Sequence, residues 1–347
     1  MEQWYKRTIT GEAAGLIPAV VRAVLTLVSW PYGLAIRVRN WAYDAGRIRV
    51  ARLAVPVISV GNMTTGGTGK TPTVIMIVRD LVALGRKPAV LTRGYGAVGG
   101  ALADEVQVIQ RECPGVPVVV NADRVAGGQE AIRKFGADVL VLDDGFQHRR
   151  LDRDVNIVLV DATNPMGVPG IIPRGSWREP PRGMARATHI MLTRCEQVTP
   201  ELVELAAGLL AQWVKPRNIF EQRTRVIGVF DAAGRAVVAE GKHVLVFAGV
   251  GNPEGFLNTV RSTGLIPSSG CWFDDHHHYH ADVDFQRMRE LTAARSLDAW
   301  VTTVKDWVKI KELKTPVPVW HVRIESRIEG VQSSLWHGVL AAALAGR

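Results

Sequence analysis

Gly61-Asn62-Met63-Thr64-Thr65-Gly66-Gly67-Thr68-Gly69-Lys70-Thr71-Pro72 follows directly on the apolar run Val55–Val60. The run predicts a buried strand, and Thr73–Leu84, stopped by Gly85, predicts a helix, so the glycines fall in a strand-to-helix turn. Glycine lets backbone N–H groups turn toward phosphate oxygens with no Cβ in the way, and the helix behind offers its positive end to an anion. A phosphate loop for a nucleoside triphosphate is therefore expected over Thr64, Thr65, Gly66, Gly67, Thr68, Gly69, Lys70 and Thr71. Lys70 would reach the β- and γ-phosphates, and the Thr71 hydroxyl would ligate Mg²⁺. Pro72 sits in the first helical turn, where proline is best tolerated. One position departs from G-x-x-x-x-G-K-[ST]: Thr64 stands where the first glycine belongs.

Outward from the loop, short β-branched runs alternate with helical segments. Ala89–Thr92, Val118–Val120, Val139–Leu142, Ile157–Val160 and Ile190–Thr193 read as strands, and Arg124–Phe135, stopped by Gly136, reads as a helix. The alternation predicts an α/β fold with a doubly wound, mostly parallel sheet, whose active groups gather at the carboxyl ends of the strands. After a helix over Glu201–Val214, the runs Val226–Phe230 and Arg235–Ala239 flank the turn Asp231–Gly234 and read as a β-hairpin linker. A smaller α/β set follows: strand Val244–Ala248, helices Pro253–Thr263 and Asp282–Ala294, strands Trp300–Thr303 and Val317–Val322, and a C-terminal helix ending at Ala345. The expected division is 1–50 as an N-terminal helical segment, 51–222 as the nucleotide-binding domain, 223–242 as the linker and 243–347 as the second domain.

With 347 residues, 47% apolar and 22% charged, the chain can bury two such cores and is not disordered. Cys113, Cys195 and Cys271 are too widely spaced for a C-x-x-C pair and suit a reducing compartment. The net charge of +9 is concentrated early: residues 1–52 carry eight Lys/Arg against three Asp/Glu. The same stretch holds Trp4, Tyr5, Trp30, Tyr32, Trp41 and Tyr43 around the apolar segment Ala13–Ile36. The uncharged run Ala23–Ile36, interrupted by Pro31, falls short of the about 20 residues of a membrane span, and no signal-peptide cleavage pattern follows. Aromatic and arginine residues around a short apolar helix fit a segment lying in the membrane interface; a helix packed on the protein's own core has the same composition.

Several acids are candidates for the second half of a phosphate-transfer site. Asp143-Asp144 follow the strand Val139–Leu142 and precede Gly145-Phe146-Gln147-His148, which suits a Walker-B-like metal-holding pair, a helix-capping or turn pair being the alternative. Asp104-Glu105 lie in a loop after the glycine-rich Arg93–Gly100, where acids are usually only solvated, and Asp161 ends a strand. Asp274-Asp275-His276-His277-His278-Tyr279-His280 invites a zinc reading, but no second Cys/His cluster accompanies it. An Asp beside a His can also support proton transfer, and a surface His-rich loop has the same spacing.

Taken together these segments resemble the tetraacyldisaccharide 4'-kinase family of lipid A biosynthesis. The carriers are Val60-Gly61-Asn62 with Thr64–Pro72, Thr92-Arg93-Gly94-Tyr95-Gly96, Asp104-Glu105, Asp143–His148, Arg178-Glu179-Pro180, Phe247–Pro253, Asp275-His276-His277 and Lys305-Asp306. The family's loop also has threonine at the position of Thr64. The resemblance implies transfer of the γ-phosphate of ATP, with Mg²⁺, to the 4'-hydroxyl of a lipid A disaccharide 1-phosphate. It implies that Asp104 is the base that takes the hydroxyl proton, with His276 as its dyad partner, and that Asp143 and Asp144 lie near metal and phosphates. Arg178, Glu179, Glu105 and His148 match positions on the substrate side. Three departures stand out: Ala103-Asp104-Glu105-Val106 lacks the family's flanking Gly and Pro, Val304 replaces a frequent Glu, and Pro173-Arg174-Gly175-Ser176-Trp177 is bulkier and more basic than usual.

An acylated acceptor stays in the bilayer, so the resemblance also implies work at an anionic membrane surface, on the cytoplasmic face of the bacterial inner membrane. The basic N-terminal segment would attach there, each Lys or Arg near anionic lipid adding about 1 kcal/mol. No nucleic acid and no stable protein partner are expected. A partitioning-type ATPase is the competing reading of the loop, but its signature lysine would fall at Thr65.

Overall fold

The computed structural model describes residues 2–94, 104–274, 277, 279–280, 283–311 and 313–346. The chain runs α1 (Glu2–Thr10), α2 (Leu16–Asp44), β1 (Val57–Asn62), α3 (Lys70–Ala83), β2 (Pro88–Thr92), α4 (Asp104–Glu112), β3 (Val118–Val120), α5 (Arg124–Phe135), β4 (Val139–Leu142), β5 (Val155–Asp161) and β6 (His189–Thr193). It continues α6 (Pro200–Leu210), β7 (Ile219–Glu221), β8 (Arg223–Phe230), β9 (His243–Ala248), α7 (Pro253–Arg261), β10 (Ile266–Trp272), α8 (Asp284–Arg295), β11 (Ala299–Thr303), α9 (Val304–Ile310), β12 (Val319–Arg327) and α10 (Gly330–Ala345). These elements form two compact units. Unit 1 is Met1–Arg93, Gly115–Arg223 and Ile328–Arg347; unit 2 is Gly94–Pro114 and Thr224–Arg327.

Unit 1 is built on a seven-stranded sheet in the order β3-β2-β4-β1-β5-β6-β7, and every neighbouring pair is parallel. Helices cover both faces of such a sheet, which is why β1, β2 and β4 are buried along their whole length and are mostly apolar. The phosphate loop leaves the carboxyl end of the central strand β1, and Asp143-Asp144 leave the adjacent β4. Gly61 makes that proximity achievable: a Cβ there would lie 2.6 Å from Cβ of Phe146. The turn after β4 thus packs directly on the end of β1.

Unit 2 holds a five-stranded sheet in the order β10-β9-β11-β12-β8, with β10, β9, β11 and β12 mutually parallel. The run expected as half of a hairpin linker is β8, the edge strand of this sheet, and its return limb is reduced to one antiparallel bridge between Phe230 and Ala236. Two segments group differently from the linear division expected of the sequence. Residues 94–114, carrying α4, belong with unit 2, and α10 belongs with unit 1. The reason for α10 is specific: Trp336 is buried, packs edge-on against Phe220 at 5.6 Å and donates its indole N–H to Asp80, while Gln332 accepts from the Glu221 backbone.

The N-terminal helix is longer than the uncharged run Ala23–Ile36 that Pro31 interrupts. Proline removes one hydrogen bond from the ladder, and α2 continues through it for 29 residues. By length and composition α2 is sufficient to cross a membrane. One of its faces packs on unit 1: Pro18, Ser29 and Gly33 are buried, Tyr32 donates to the Arg178 carbonyl and Asn40 donates to Glu179. Leu16, Ile17, Val20, Val24, Leu27, Leu34, Val38 and Trp41 point the other way and are exposed, a single apolar stripe at helical spacing.

Candidate active site

In unit 1 the loop is shaped by left-handed backbone at Gly66 (φ 112°) and Gly69 (φ 83°), conformations that glycine adopts without strain. Its frame is fixed by side chains from behind. Asn62 donates to the Thr68 hydroxyl at 2.9 Å, Thr193 donates to the Thr68 carbonyl at 3.0 Å, and Thr73 Oγ1 lies 2.9 Å from Gly69 O and 2.8 Å from the side-chain amide of Gln222. Arg194, itself at φ 60°, pairs with Asp161 and reaches the Gly67 carbonyl. The segment Pro173–Arg178 flanks the other side, where Thr65 N–H bonds the Ser176 carbonyl at 2.7 Å and Arg178 N–H bonds the Met63 carbonyl at 2.8 Å. Asp161 is thereby a brace for the loop.

Lys70, the first residue of α3, places Nζ 3.8 Å from Oδ1 of Asp144. Arg178 grips both oxygens of the same carboxylate at 2.9 Å. Burial pushes the Asp144 carboxyl up, but the two cations outweigh it and hold it below the usual carboxylate range. Asp144 adopts φ 51°, the left-handed turn that lets consecutive acids point apart. Asp143 is buried beneath it. Its charge is felt by Arg124, a buried arginine whose guanidinium is lowered chiefly by that burial. Lys70, Thr71, Asp143, Asp144 and Arg178 therefore collect at one end of the sheet.

Two substrate-side expectations meet a different environment. Glu179 is fully buried; Arg186 donates to both its oxygens at 2.7–2.8 Å, and Asn40 and Gln147 donate as well. It ties α2 to the turn after β4 and is sealed from any ligand. His148 is partly buried, and its imidazole is pushed down to about 4, first by burial and then by Arg124 and Arg153. Its Nε2 has no hydrogen-bond partner among the described residues.

Asp104 and Glu105 open α4 in unit 2, where acids complement the helix's positive end. Asp104 Oδ2 lies 2.8 Å from Nζ of Lys309, on α9. The same ammonium donates to the His277 carbonyl at 3.0 Å and lies 3.9 Å from Oδ1 of the fully buried Asp306. Arg111, a further two turns along α4, stacks over Trp307 of α9 at 3.9 Å. His276 lies outside the described residues, as do Tyr95 and Asp275. Within the described residues no three His, Cys, Asp or Glu side chains gather as a metal cluster. Lys309 and Arg124 were missed by sequence reasoning. The one usable signal was that Lys309 lies one helical turn beyond the noted Asp306, on the same face.

A sequence model of tetraacyldisaccharide-1-P 4'-kinase matches residues 21–343. The chain belongs to the tetraacyldisaccharide 4'-kinase family. It is 36% identical over 357 residues to the tetraacyldisaccharide 4'-kinase of Anaeromyxobacter dehalogenans (strain 2CP-C), covering 96% of this chain and 93% of that protein. With the enzyme of Syntrophus aciditrophicus (strain SB) it shares 37% identity, covering 91% and 92%. Among solved structures, LpxK from Aquifex aeolicus in complex with ATP superposes with a TM-score of 0.75 at 26% identity, covering 93% of this kinase and 99% of that chain. The family membership removes the partitioning ATPase from consideration.

Proposed function

We infer that this kinase transfers the γ-phosphate of ATP to the 4'-hydroxyl of tetraacyldisaccharide 1-phosphate in lipid A biosynthesis. The observation that carries the reading is Lys70 set beside Asp144 over a braced phosphate loop, in a chain that matches the family from residue 21 to 343. The loop N–H groups and the Lys70 ammonium bind the β- and γ-phosphates; Arg178 offers a second cation next to them. Mg²⁺ takes oxygen ligands and usually needs only one or two carboxylates beside the phosphates. The Thr71 hydroxyl and the Asp143-Asp144 pair fit that demand, and Mg²⁺ held there would neutralise charge on the bridging phosphate oxygens.

Asp104 is the base of the proposed reaction. As the 4'-oxygen bonds to the γ-phosphorus and the bond to ADP breaks, the hydroxyl proton passes to the Asp104 carboxylate. His276, which supports Asp104, then relays that proton to solvent. The deciding assay uses γ-labelled ATP and tetraacyldisaccharide 1-phosphate. Label appearing on the lipid supports the reading; ATP hydrolysis that is indifferent to the lipid sinks it.

The apolar stripe of α2 is the proposed contact with an anionic membrane, on the cytoplasmic face where ATP is available. A crossing helix would have to abandon the face that carries Ser29, Gly33 and Asn40 against unit 1, so α2 is proposed to lie along the interface. Replacing Val24, Leu27 and Leu34 together by Glu removes buried apolar area worth about 1.5–3 kcal/mol per side chain. Sedimentation with anionic vesicles should fall sharply, and unchanged sedimentation would refute the contact.

A further inference from the structure

We propose that Lys309 is a positioning residue for the transfer reaction, the group that fixes the Asp104 carboxylate and the backbone carbonyl of His277 in one arrangement. The inference deepens the reading of Asp104 as base and rests on it. A lysine ammonium has three donors. Here they face three different parts of unit 2: Oδ2 of Asp104 on α4 at 2.8 Å, the His277 carbonyl at 3.0 Å, and Oδ1 of Asp306 on its own helix at 3.9 Å. One ammonium thus joins the Asp104 carboxylate on α4 to the backbone at residue 277 and to α9.

The ammonium is itself held. Asp306 is fully buried, and its Oδ2 accepts from Thr303 Oγ1 at 2.8 Å and from the Gly249 N–H at 3.1 Å. Thr303 also caps α9 by accepting from the Asp306 N–H. A buried carboxylate fixed in this way must be compensated by a cation, and Lys309 is placed to do it. The Lys309 side chain is only 7% exposed and that of Asp104 16%, so solvent cannot substitute for the pairing. At the far end of the two helices Arg111 rests on Trp307, which leaves α4 little freedom to shift against α9. An apolar residue at 309 would withdraw the compensating charge from Asp306, whereas the ammonium both supplies it and fixes the direction of the Asp104 carboxylate.

The test is made on the full-length kinase, with Lys309→Ala, Lys309→Gln and Asp104→Asn in the same lipid-phosphorylation assay. Misplacement of a reacting group by about 1 Å lowers turnover roughly 10²-fold, so Lys309→Ala should lose roughly that in kcat with little change in the KM for ATP. Added ethylammonium should restore part of the lost kcat, which a purely structural brace would not do. Lys309→Gln, able to donate but uncharged, should fall between wild type and alanine, and it carries the test if the alanine variant does not fold. A folded variant with wild-type kcat overturns the proposal, and so does a loss that ethylammonium leaves untouched. If Asp104→Asn keeps full kcat, the base reading has failed. If Asp104→Asn is inactive while the Lys309 variants turn over normally, only the inference about Lys309 has failed.

Discussion

Each unit of this kinase sets a lysine against an aspartate, and the two pairs are made differently. Lys70 stands 3.8 Å from Asp144, outside hydrogen-bond distance, and Asp144 is 40% exposed. Lys309 stands 2.8 Å from Asp104 with both side chains nearly sealed. The loose pair leaves an ammonium that can turn to phosphate, while Arg178 keeps the carboxylate from closing on it. The tight pair has no ammonium to spare and serves to aim a carboxylate. On the proposed reading, the same two residue types give a ligand-binding charge in one place and an oriented base in the other, and exposure and distance distinguish them.

The largest effect is expected at the tight pair. Asp104→Asn should lower kcat by roughly 10²–10⁴-fold with a modest change in the KM for ATP, as for loss of a general base. Steady-state kinetics at saturating lipid checks it. An effect confined to KM would place Asp104 in binding and erase the contrast between the pairs.

At the loose pair, Lys70→Ala should lower transfer by roughly 10²–10³-fold, the loss that follows removal of one donor to developing charge. It should also weaken ATP binding, measured by nucleotide titration, whereas Asp104→Asn should not. If both variants bind ATP normally, the assignment of Lys70 to the phosphates is wrong.

The contrast also explains what could be read from the sequence. The loop, Lys70 and the Asp143-Asp144 pair are legible because each is a contiguous motif at a strand end, and the parallel sheet follows from the alternation around them. Arg178 gripping Asp144 and Lys309 gripping Asp104 are not legible, because each joins positions far apart in the chain whose proximity only packing creates. Glu179 was drawn to the substrate side by its neighbour Arg178, yet in the bend they share Arg178 reaches Asp144 while Glu179 turns inward to Arg186. In α2 the expectation of a break at Pro31 gave a local preference more weight than the packing of Ser29 and Gly33 on unit 1 allowed.

A smaller effect separates the partners of Asp144. Arg178→Met removes the two bonds at 2.9 Å and lets Asp144 approach Lys70. Transfer should fall about 10-fold, in the range of a lost charge-assisted hydrogen bond worth 1.5–3 kcal/mol. Because Asp144 is itself a proposed Mg²⁺ ligand, the double variant Arg178→Met, Asp144→Asn should lose more than either single change but less than their product, since the pair that Arg178 holds is then already absent. Losses that multiply in the cycle would mean that Arg178 acts on the ligand alone.

The smallest expected effect concerns stability against pH, and it sharpens the comparison because both units keep a neutral imidazole beside arginines. His148 in unit 1 is pushed down to about 4, by burial first and then by Arg124 and Arg153; His321 in unit 2 is pushed down to about 3, by burial and then by Arg111 and Arg323. In the unfolded chain each imidazole titrates near 6.5. Between that value and the folded one the unfolded state binds more protons, so stability is present above about 6.5 and is lost as pH falls toward 4 for His148 and toward 3 for His321. His148→Gln should therefore flatten the fall of Tm between pH 6.5 and 4 by a few degrees, given that 1 kcal/mol is worth about 2–4 °C in a domain of 150–250 residues. His321→Gln should extend the flattening below pH 4. Equal slopes in wild type and His148→Gln would mean that burial and its arginine neighbours do not keep it neutral, and that unit 1 tolerates a further cation beside Arg124.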